Sequence, residues 1–201
     1  MEFDKAITVL EKDPKMRKII SDVGQCKIRV IRNKYEALVE AIITQQISDA
    51  AGKVIAKRFR DLFGKFPRPI DVINMSNSDL CSSGISRMKS EYIKDISDKI
   101  ESKQLNFRQI EQKNDEDVIS ELTKIRGVGR WTAEMFLIFG LGRMDILPLG
   151  DLGLRRGIQT MYSMSEEPDD ETILRIAKKW VPYRTVATWY IWRGVKNFNN
   201  I

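Results

Sequence analysis

The sequence LTKIRGVGRWTAEMFLIFGLGRMDILPLGDLGLRRG, residues 122–157, decides how the rest of the chain is interpreted. It opens with an Arg-Gly-Val-Gly-Arg turn and continues into a strongly apolar segment. That segment breaks at Pro148 and Gly150, and one acidic residue, Asp151, then precedes a pair of arginines. A carboxylate in this position is either a plain helix N-cap or a fixed charge with a chemical task.

Two helices flank the glycine pair of the turn. Residues 115–124 predict one helix from their apolar periodicity, and a second helix follows the turn. A turn containing Gly127 and Gly129 can leave backbone N–H groups pointing outward, beside the positive end of the second helix. This pattern predicts a phosphate site made of backbone, and an ordinary connection with a Gly C-cap is the alternative. Positive charge around the turn comes from Lys124, Arg126 and Arg130.

The hydrophobic periodicity is helical along nearly the whole chain. Glycine and proline residues divide the chain into roughly ten helices. One weak strand candidate, residues 26–32, equally fits a short extended connector. Residues 35–47 and 131–141 are apolar all round, so we predict that both of these helices lie in the core. The expected fold class is all-α.

The composition narrows the classes of function. The 34 lysines and arginines exceed the 28 acidic residues, and the net charge of +6 suits an anionic partner such as nucleic acid. The chain has no His, which excludes a His-dependent triad and a His-ligated metal site. Its two cysteines, Cys26 and Cys81, are too few for a four-cysteine zinc or iron–sulfur site, and we interpret them as buried or free thiols.

The N-terminal sequence MEFDKAITVLEKD is charged and amphipathic, which is not typical of a signal peptide. A run of about 18 apolar residues is absent, so we expect no transmembrane span and no membrane partner. Both observations favour a cytoplasmic protein, associated with the nucleoid if the source is prokaryotic.

Four segments occur in the order found in one known family: residues 43–48 (ITQQIS), 127–133 (GVGRWTA), 147–151 (LPLGD) and 180–184 (WVPYR), the last followed by Ile191-Trp192. Over residues 34–197 the sequence resembles the helix–hairpin–helix (HhH-GPD) DNA glycosylases. In these base-excision enzymes a Gly/Pro-rich loop and a catalytic Asp follow the hairpin. The sequence is most similar to the alkylpurine branch, that of 3-methyladenine DNA glycosylase II.

The resemblance implies an all-α fold of two helical lobes, with the DNA and active-site cleft between them. One lobe would be a helical barrel, residues 34–145, containing the helix–hairpin–helix at 115–141. The other lobe would combine residues 1–33 and 146–201. Longer bacterial relatives carry an extra N-terminal β domain, which we expect this protein to lack.

The resemblance also assigns the chemistry. Cleaving the bond between base and deoxyribose puts positive charge on the sugar, and Asp151 would stabilise that charge and orient the attacking water. Bifunctional members place a Lys two residues after the second hairpin glycine, where it attacks the sugar as an amine. Trp131 occupies that position here. We therefore expect a monofunctional enzyme that leaves an abasic site, has no lyase activity and lacks the iron–sulfur cluster of other relatives.

A base pocket is implied by the same resemblance. Alkylated purines are electron-poor and stack well on aromatic faces, and Trp131 and Trp192 match aromatic pocket positions of the family. The alternative is that both tryptophans are core residues. Two further aromatic positions of the best-known bacterial branch are Met135 and Leu152 here, a departure that changes the shape of the pocket.

Contacts with DNA complete the implied site. The target base must leave the duplex, and a side chain from residues 44–47 fills the gap. We expect Gln46 in this role with Gln45 beside it; a polar helix end is the alternative. The residues expected to contact DNA are Gln45, Gln46, Ser48, Gly127, Val128, Gly129, Arg130 and Thr132.

The hairpin of the family can also hold a monovalent cation through backbone carbonyls. Here these carbonyls would belong to Thr123, Ile125 and Val128, with Na⁺ or K⁺ as the ion and a water as the alternative. No other cofactor is expected.

Together these features predict a monomeric, monofunctional DNA glycosylase of base excision repair. It would bind double-stranded DNA containing a damaged base and hydrolyse the N-glycosidic bond of alkylated purines of the 3-methyladenine type. Two alternatives stay open at this point. One is a non-catalytic helix–hairpin–helix DNA-binding protein, and the other is a glycosylase of the same fold for deaminated or mismatched bases.

Overall fold

Short amphipathic segments with polar caps make this chain helical throughout. The computed structural model describes the backbone of residues 2–198 and the side chains of residues 3–194. Residues 2–198 contain thirteen α-helices and no β-strand. The helices are α1 (Glu2–Leu10), α2 (Pro14–Val23), α3 (Lys34–Ile43), α4 (Asp49–Asp61), α5 (Pro69–Asn74), α6 (Asn77–Ser82), α7 (Arg87–Glu101), α8 (Phe107–Ile110), α9 (Asp115–Leu122), α10 (Arg130–Met135), α11 (Leu152–Tyr162), α12 (Asp170–Ala177) and α13 (Arg184–Phe198). A π-helical turn, Phe136–Leu141, follows α10, and a 3₁₀ turn, Lys178–Trp180, follows α12.

The all-α fold class is confirmed, but the described chain forms more helices than the roughly ten predicted from its breakers. The additional helices are short: α5 and α6 have six residues each, and α8 has four. Side-chain caps start two of them. Ser76 accepts the N–H of Asp79 at 3.1 Å, and Asn106 accepts the N–H of Arg108 at 3.0 Å. Glycine and proline mark where helices stop, but polar caps also start them.

Two predicted helices end earlier than expected. Helix α3 ends at Ile43 rather than at residue 47, because Gln46 has a left-handed φ of 56° that cannot continue a helix. The hydroxyl of Thr44 donates to the carbonyls of Glu40 and Ala41 at 3.0 and 3.2 Å, which satisfies part of the helix end. Helix α9 ends at Leu122 rather than at residue 124.

The predicted apolar helix 131–141 is α10 followed by the π-helical turn. Gly140 lies within this turn, where a Cβ would be 2.8 Å from the Phe136 ring and 3.1 Å from the Cβ of Ala37. The glycine therefore lets the turn pack closely against α3. Burial of residues 132–138 confirms that this segment belongs to a core.

The weak strand candidate is an extended connector rather than a strand. Within residues 26–32 the backbone N–H of Ile31 donates to the carbonyl of Phe139 at 2.7 Å, but no ladder forms. Cys26 is buried and Cys81 is half-buried, and both are free thiols, as interpreted from the sequence.

The chain forms two compact units. The terminal unit combines both ends of the chain, up to Val30 and from Gly142 onward, and the central unit is Ile31–Leu141. The family resemblance implied divisions at 33/34 and 145/146, three residues after the first observed division and four after the second. In the terminal unit, α13 packs against α2 and α11, around the fully buried Trp180 and Tyr190.

In the central unit, α3 packs against α4, α7, α10 and the π-helical turn. Its fully buried side chains include Leu38, Ile42, Phe59, Ile93 and Phe136. Among the described residues, no helix has the length and apolar character needed to cross a membrane.

A buried carboxylate, that of Asp13, connects several elements of the terminal unit through hydrogen bonds. Asp13 is 3% exposed, and its Oδ1 caps α2 by accepting the N–H of Lys15 at 3.0 Å. Its Oδ2 accepts the hydroxyl of Tyr162 at 2.6 Å and the indole N–H of Trp180 at 3.3 Å, and Lys179 Nζ lies at 3.4 Å. Burial by itself raises the pKa of Asp13, but the hydrogen bonds and the charge of Lys179 outweigh it and lower that pKa.

We expect Asp13→Asn to lower the free energy of unfolding by about 1–3 kcal/mol at pH 7, because buried donors lose a charged acceptor. The depressed pKa of Asp13 means that its contribution is present above the unfolded-state pKa and is lost as the pH falls through the folded-state value. The difference between variant and wild type should therefore shrink in acid, which thermal unfolding across a pH series measures.

The matched control is Asp22→Asn, on the exposed side of the same helix α2. We expect it to change the free energy of unfolding by about 0.5 kcal/mol or less. Equal stability of Asp13→Asn and wild type at pH 7 would contradict the role given to Asp13.

Candidate active site

Asp151 begins helix α11 at the end of the Leu-Pro-Leu-Gly loop. Its backbone N–H donates to the carbonyl of Pro148 at 2.9 Å, which closes a turn. Its Oδ1 accepts the N–H of Leu154 at 2.7 Å, so the side chain is the N-cap of α11. The residue is buried, at 9% exposed. The predicted position of this carboxylate at a helix start is confirmed.

The indole of Trp192 holds the same carboxylate oxygen. Its Nε1–H donates to Asp151 Oδ1 at 2.7 Å, from a position on α13, which packs against α11. Gly153 permits this approach, because a Cβ there would lie 3.1 Å from both Asp151 Oδ1 and Trp192 Cδ1. Trp192 thus orients the carboxylate, a role that the sequence analysis did not foresee. A glycine two residues after Asp151, inside a helix, was the available signal.

Two arginines anchor the loop that leads to Asp151. Arg155 Nε donates to the carbonyl of Leu149 at 2.8 Å. Arg184 forms two contacts with the carboxylate of Asp145, at 2.7 and 2.8 Å. The loop is therefore fixed on both sides, by contacts that the sequence did not predict for these two arginines.

The four predicted pocket residues fall in both units. Trp131 and Met135 lie one turn apart on α10 of the central unit, where Trp131 is half-buried and Met135 is 5% exposed. Leu152 and Trp192 belong to the terminal unit, and Leu152 is 60% exposed. Of the four, Trp192 bonds directly to Asp151. That these four residues line a base pocket stays a prediction, as does stacking of the base on Trp131 and Trp192.

The hairpin of the central unit joins α9 to α10. Gly127 has a left-handed φ of 82°, and a Cβ there would lie 2.2 Å from the ring of Tyr92. Gly129 is the N-cap of α10 with a φ of −88°, and nothing lies within 4 Å of its Cβ position. The N–H of Val128 donates to the carbonyl of Ile125 at 3.1 Å. Only Gly127 is needed for the turn itself, whereas Gly129 leaves an open approach to the helix start.

The positive charge predicted around the hairpin is partly balanced by carboxylates. Arg126 pairs with Glu91 at 3.2 Å. Arg130 donates twice to Glu116, at 3.1 and 2.6 Å, and once to Glu134 at 3.0 Å. The hydrogen bonds from Arg130 lower the pKa of Glu116 below its ordinary value. An anion at the hairpin would compete with these carboxylates for the guanidinium groups.

The loop after α3 carries two glutamines with different surroundings. Gln46 is exposed and left-handed, a conformation that costs a residue with a side chain about 1–2 kcal/mol. Gln45 is half-buried, and its Nε2 donates to the carbonyl of Gly127 at 2.9 Å and to Thr132 Oγ1 at 2.8 Å. Ser48 is the N-cap of α4.

Gln45 and Thr132, both expected to contact DNA, therefore have each other as internal partners. The Thr132 side chain is buried, at 2% exposed, and its hydroxyl meets Gln45. Gln46 and Ser48 are exposed. DNA contact by any of these residues stays a prediction.

Lys89 is a residue that the sequence analysis missed. It lies in α7, and its Nζ donates to the carbonyls of Ile43 at 2.9 Å and Gln45 at 2.8 Å. Burial lowers its pKa below the ordinary value for lysine. A lysine inside a regular helix gave no local signal of this role.

In the described part of the chain, no group of three His, Cys, Asp or Glu side chains is placed to bind a metal ion. The only predicted ion ligands are thus the backbone carbonyls of the hairpin.

The HhH-GPD superfamily of base excision DNA repair proteins matches residues 39–183. The chain belongs to this superfamily. One relative, the alkylbase DNA glycosidase-like protein mag2 of Schizosaccharomyces pombe, is 33% identical over 187 residues, covering 90% of this chain and 88% of that protein. The resemblance drawn from the four sequence segments is thereby confirmed.

Solved structures of the HhH-GPD fold agree with this assignment. The 3-methyladenine DNA glycosylase Mag1 of Schizosaccharomyces pombe, in complex with abasic DNA, matches with a TM-score of 0.88 and 31% identity, covering 96% of this chain and 97% of that one. A DNA-3-methyladenine glycosidase of Bacillus halodurans matches with a TM-score of 0.77 and 34% identity, covering 96% and 89%.

For this HhH-GPD protein we expect Gly127→Ala to lower the free energy of unfolding by about 2 kcal/mol or more and to weaken DNA binding, because the new Cβ meets Tyr92 in a left-handed turn. Gly129→Ala is the matched control, with open space at its Cβ position, and should cost about 1 kcal/mol or less. Thermal unfolding and fluorescence anisotropy on an undamaged duplex measure both effects. Two variants of equal stability would show that the hairpin is not built as described.

Proposed function

We propose that this protein is a monofunctional DNA glycosylase of base excision repair that removes alkylated purines of the 3-methyladenine type. One observation carries the proposal: a buried carboxylate, Asp151, is fixed by two hydrogen bonds at a helix start in an HhH-GPD chain. A pure phosphate clamp has no use for such a carboxylate. Relatives named as 3-methyladenine DNA glycosylases support the substrate class.

The reaction is hydrolysis of the bond between the base and C1′ of the sugar. As this bond lengthens, positive charge develops on the sugar, and the carboxylate of Asp151 stabilises it. Water adds its hydroxyl to C1′, and its proton passes to the carboxylate and then to solvent. A cationic base such as 3-methyladenine takes the bonding electrons and leaves as a neutral molecule, so no general acid has to protonate it.

Double-stranded DNA with a damaged base is the partner in this proposal. Backbone N–H groups at the open approach beside Gly129 would hold a phosphate, and Arg130 would exchange its exposed partner Glu116 for phosphate oxygens. The exposed Gln46 would enter the duplex and fill the gap left by the extruded base. Trp131 and Trp192, with Met135 and Leu152, would line the pocket that receives the base.

A Na⁺ or K⁺ ion would bind the carbonyl oxygens of Thr123, Ile125 and Val128. The carbonyl of Ile125 already accepts the N–H of Val128, and its second lone pair suits an ion. Such an ion would stiffen the turn and attract a phosphate, and no step of the hydrolysis requires it. We further propose that the protein acts as a monomer in the cytoplasm, beside the nucleoid if its source is prokaryotic.

We expect Asp151→Asn to lower the single-turnover excision rate by about 100-fold or more while DNA affinity stays near that of wild type. Asn caps a helix as well as Asp does, so α11 should stay intact. Asp169→Asn is the matched control, because Asp169 also caps a helix, accepting the N–H of Thr172 at 2.9 Å, but is exposed. Its rate should match that of wild type. Near-normal excision by Asp151→Asn would remove Asp151 from the mechanism.

We expect no covalent complex when the wild-type protein acts on lesion DNA in the presence of borohydride. A Schiff base needs a neutral amine at the sugar, and Trp131 stands where bifunctional relatives have Lys. Denaturing electrophoresis detects a trapped complex, and a glycosylase with lyase activity provides the positive control. A stable adduct, or strand cleavage before alkali treatment, would show that the enzyme is bifunctional.

A further inference from the structure

Two hydrogen bonds from helix α7 hold the loop Thr44–Ser48, which contains Gln46. The Nζ of Lys89, on α7, donates to two carbonyls where this loop begins, that of Ile43 at 2.9 Å and that of Gln45 at 2.8 Å. A charged donor on two carbonyls fixes the direction of both peptide groups. The left-handed residue, Gln46, comes directly after the second of them.

Hydrogen bonds from the Gln45 side chain also join this loop to the hairpin. Both N–H bonds of the Gln45 side chain are used, one on the carbonyl of Gly127 at 2.9 Å and one on Thr132 Oγ1 at 2.8 Å. Because a carbonyl can only accept, the contact with Gly127 defines which end of the amide is the NH₂ group. The Gln45 side chain therefore connects the loop of Gln46 both to the glycine turn, at Gly127, and to helix α10, at Thr132.

Helix α7 supports the loop and the hairpin from one face. Lys89 and Tyr92 are three residues apart, so they lie on the same side of α7. Lys89 holds the loop, while the ring of Tyr92 occupies the space beside Gly127. The loop of Gln46 and the hairpin turn thus share two supports: Gln45, which contacts both, and α7, which packs against both.

We propose that Gln45 and Lys89 are positioning residues that join the loop of Gln46 to the hairpin, so that Gln46 is already held in place for entry into the duplex before DNA binds. This inference rests on the proposed function, because it concerns how that enzyme extrudes the base. In this proposal Gln45 hydrogen-bonds within the protein and does not contact DNA. A loop that is already ordered loses no conformational freedom when its side chain enters the duplex, whereas a loose loop would.

The test compares a lesion in a fully paired duplex with the same lesion in a bulge. Extrusion from a stacked, paired site depends on the wedge, and extrusion from a bulge costs little. We expect Lys89→Met to lower excision from the paired duplex by about tenfold or more, the loss typical of removing one charge-assisted hydrogen bond. Excision from the bulge should stay within about twofold of wild type, a change below that of one ordinary hydrogen bond.

Lys94→Met is the matched control. Lys94 lies on the same helix, and its Nζ donates to the carbonyl of Ile73 at 3.2 Å, away from the loop of Gln46. We expect it to lower neither rate. Gln45→Glu is the second variant, because it keeps the size of the side chain but turns a carboxylate oxygen toward the carbonyl of Gly127. It should reproduce the effect of Lys89→Met even if that variant fails to fold.

A second readout works without bond cleavage. A 2-aminopurine placed beside the lesion becomes more fluorescent when the protein unstacks the site, and we expect Lys89→Met and Gln45→Glu to weaken this signal and Lys94→Met to retain it. The proposal would be overturned if Lys89→Met and Gln45→Glu lowered the excision rate equally on paired and bulged DNA. It would also be overturned if both variants kept the wild-type excision rates and fluorescence. If the wild type bound and unstacked lesion DNA but excised nothing, the proposed function would fail while the fluorescence still decided the role of Gln45 and Lys89.

Discussion

The hydrogen bond from the Trp192 indole to Asp151 Oδ1 is the constraint on which the proposed chemistry at Asp151 depends. At 2.7 Å it meets the oxygen that also caps α11, so one carboxylate fixes the start of that helix and its packing against α13. Gly153 is the residue that allows the two helices to come this close. A carboxylate held in this way is ready to stabilise charge without reorganising, which is the property that a hydrolytic glycosylase needs.

The features that the sequence predicted correctly depend on residues only a few positions apart. The start of α11 at Asp151 follows from the Pro/Gly loop before it, and the left-handed turn at Gly127 follows from the glycine pair. The end of α3 was predicted four residues too late, because the apolar pattern continues through Ile47 while the backbone turns at Gln46. Hydrophobic periodicity does not register a single left-handed residue.

The features that the sequence missed depend on contacts between distant positions. The bond of Trp192 to Asp151 joins residues 41 positions apart, and that of Gln45 to Gly127 joins residues 82 positions apart. Lys89 reaches Ile43 across 46 positions. Such side chains look like ordinary members of a helix or a loop until packing brings their partners to them, and only the family resemblance pointed to the Trp and the glutamines.

The most direct test of the account is a comparison of base release from duplexes that each carry one lesion: 3-methyladenine, 7-methylguanine, hypoxanthine or ethenoadenine. Free base is measured by chromatography with the wild-type protein in excess. The account predicts that the two methylated purines are released and that hypoxanthine is released much more slowly, because a neutral base is a poorer leaving group. Binding to all four duplexes with no base released, or a preference for hypoxanthine, would contradict it.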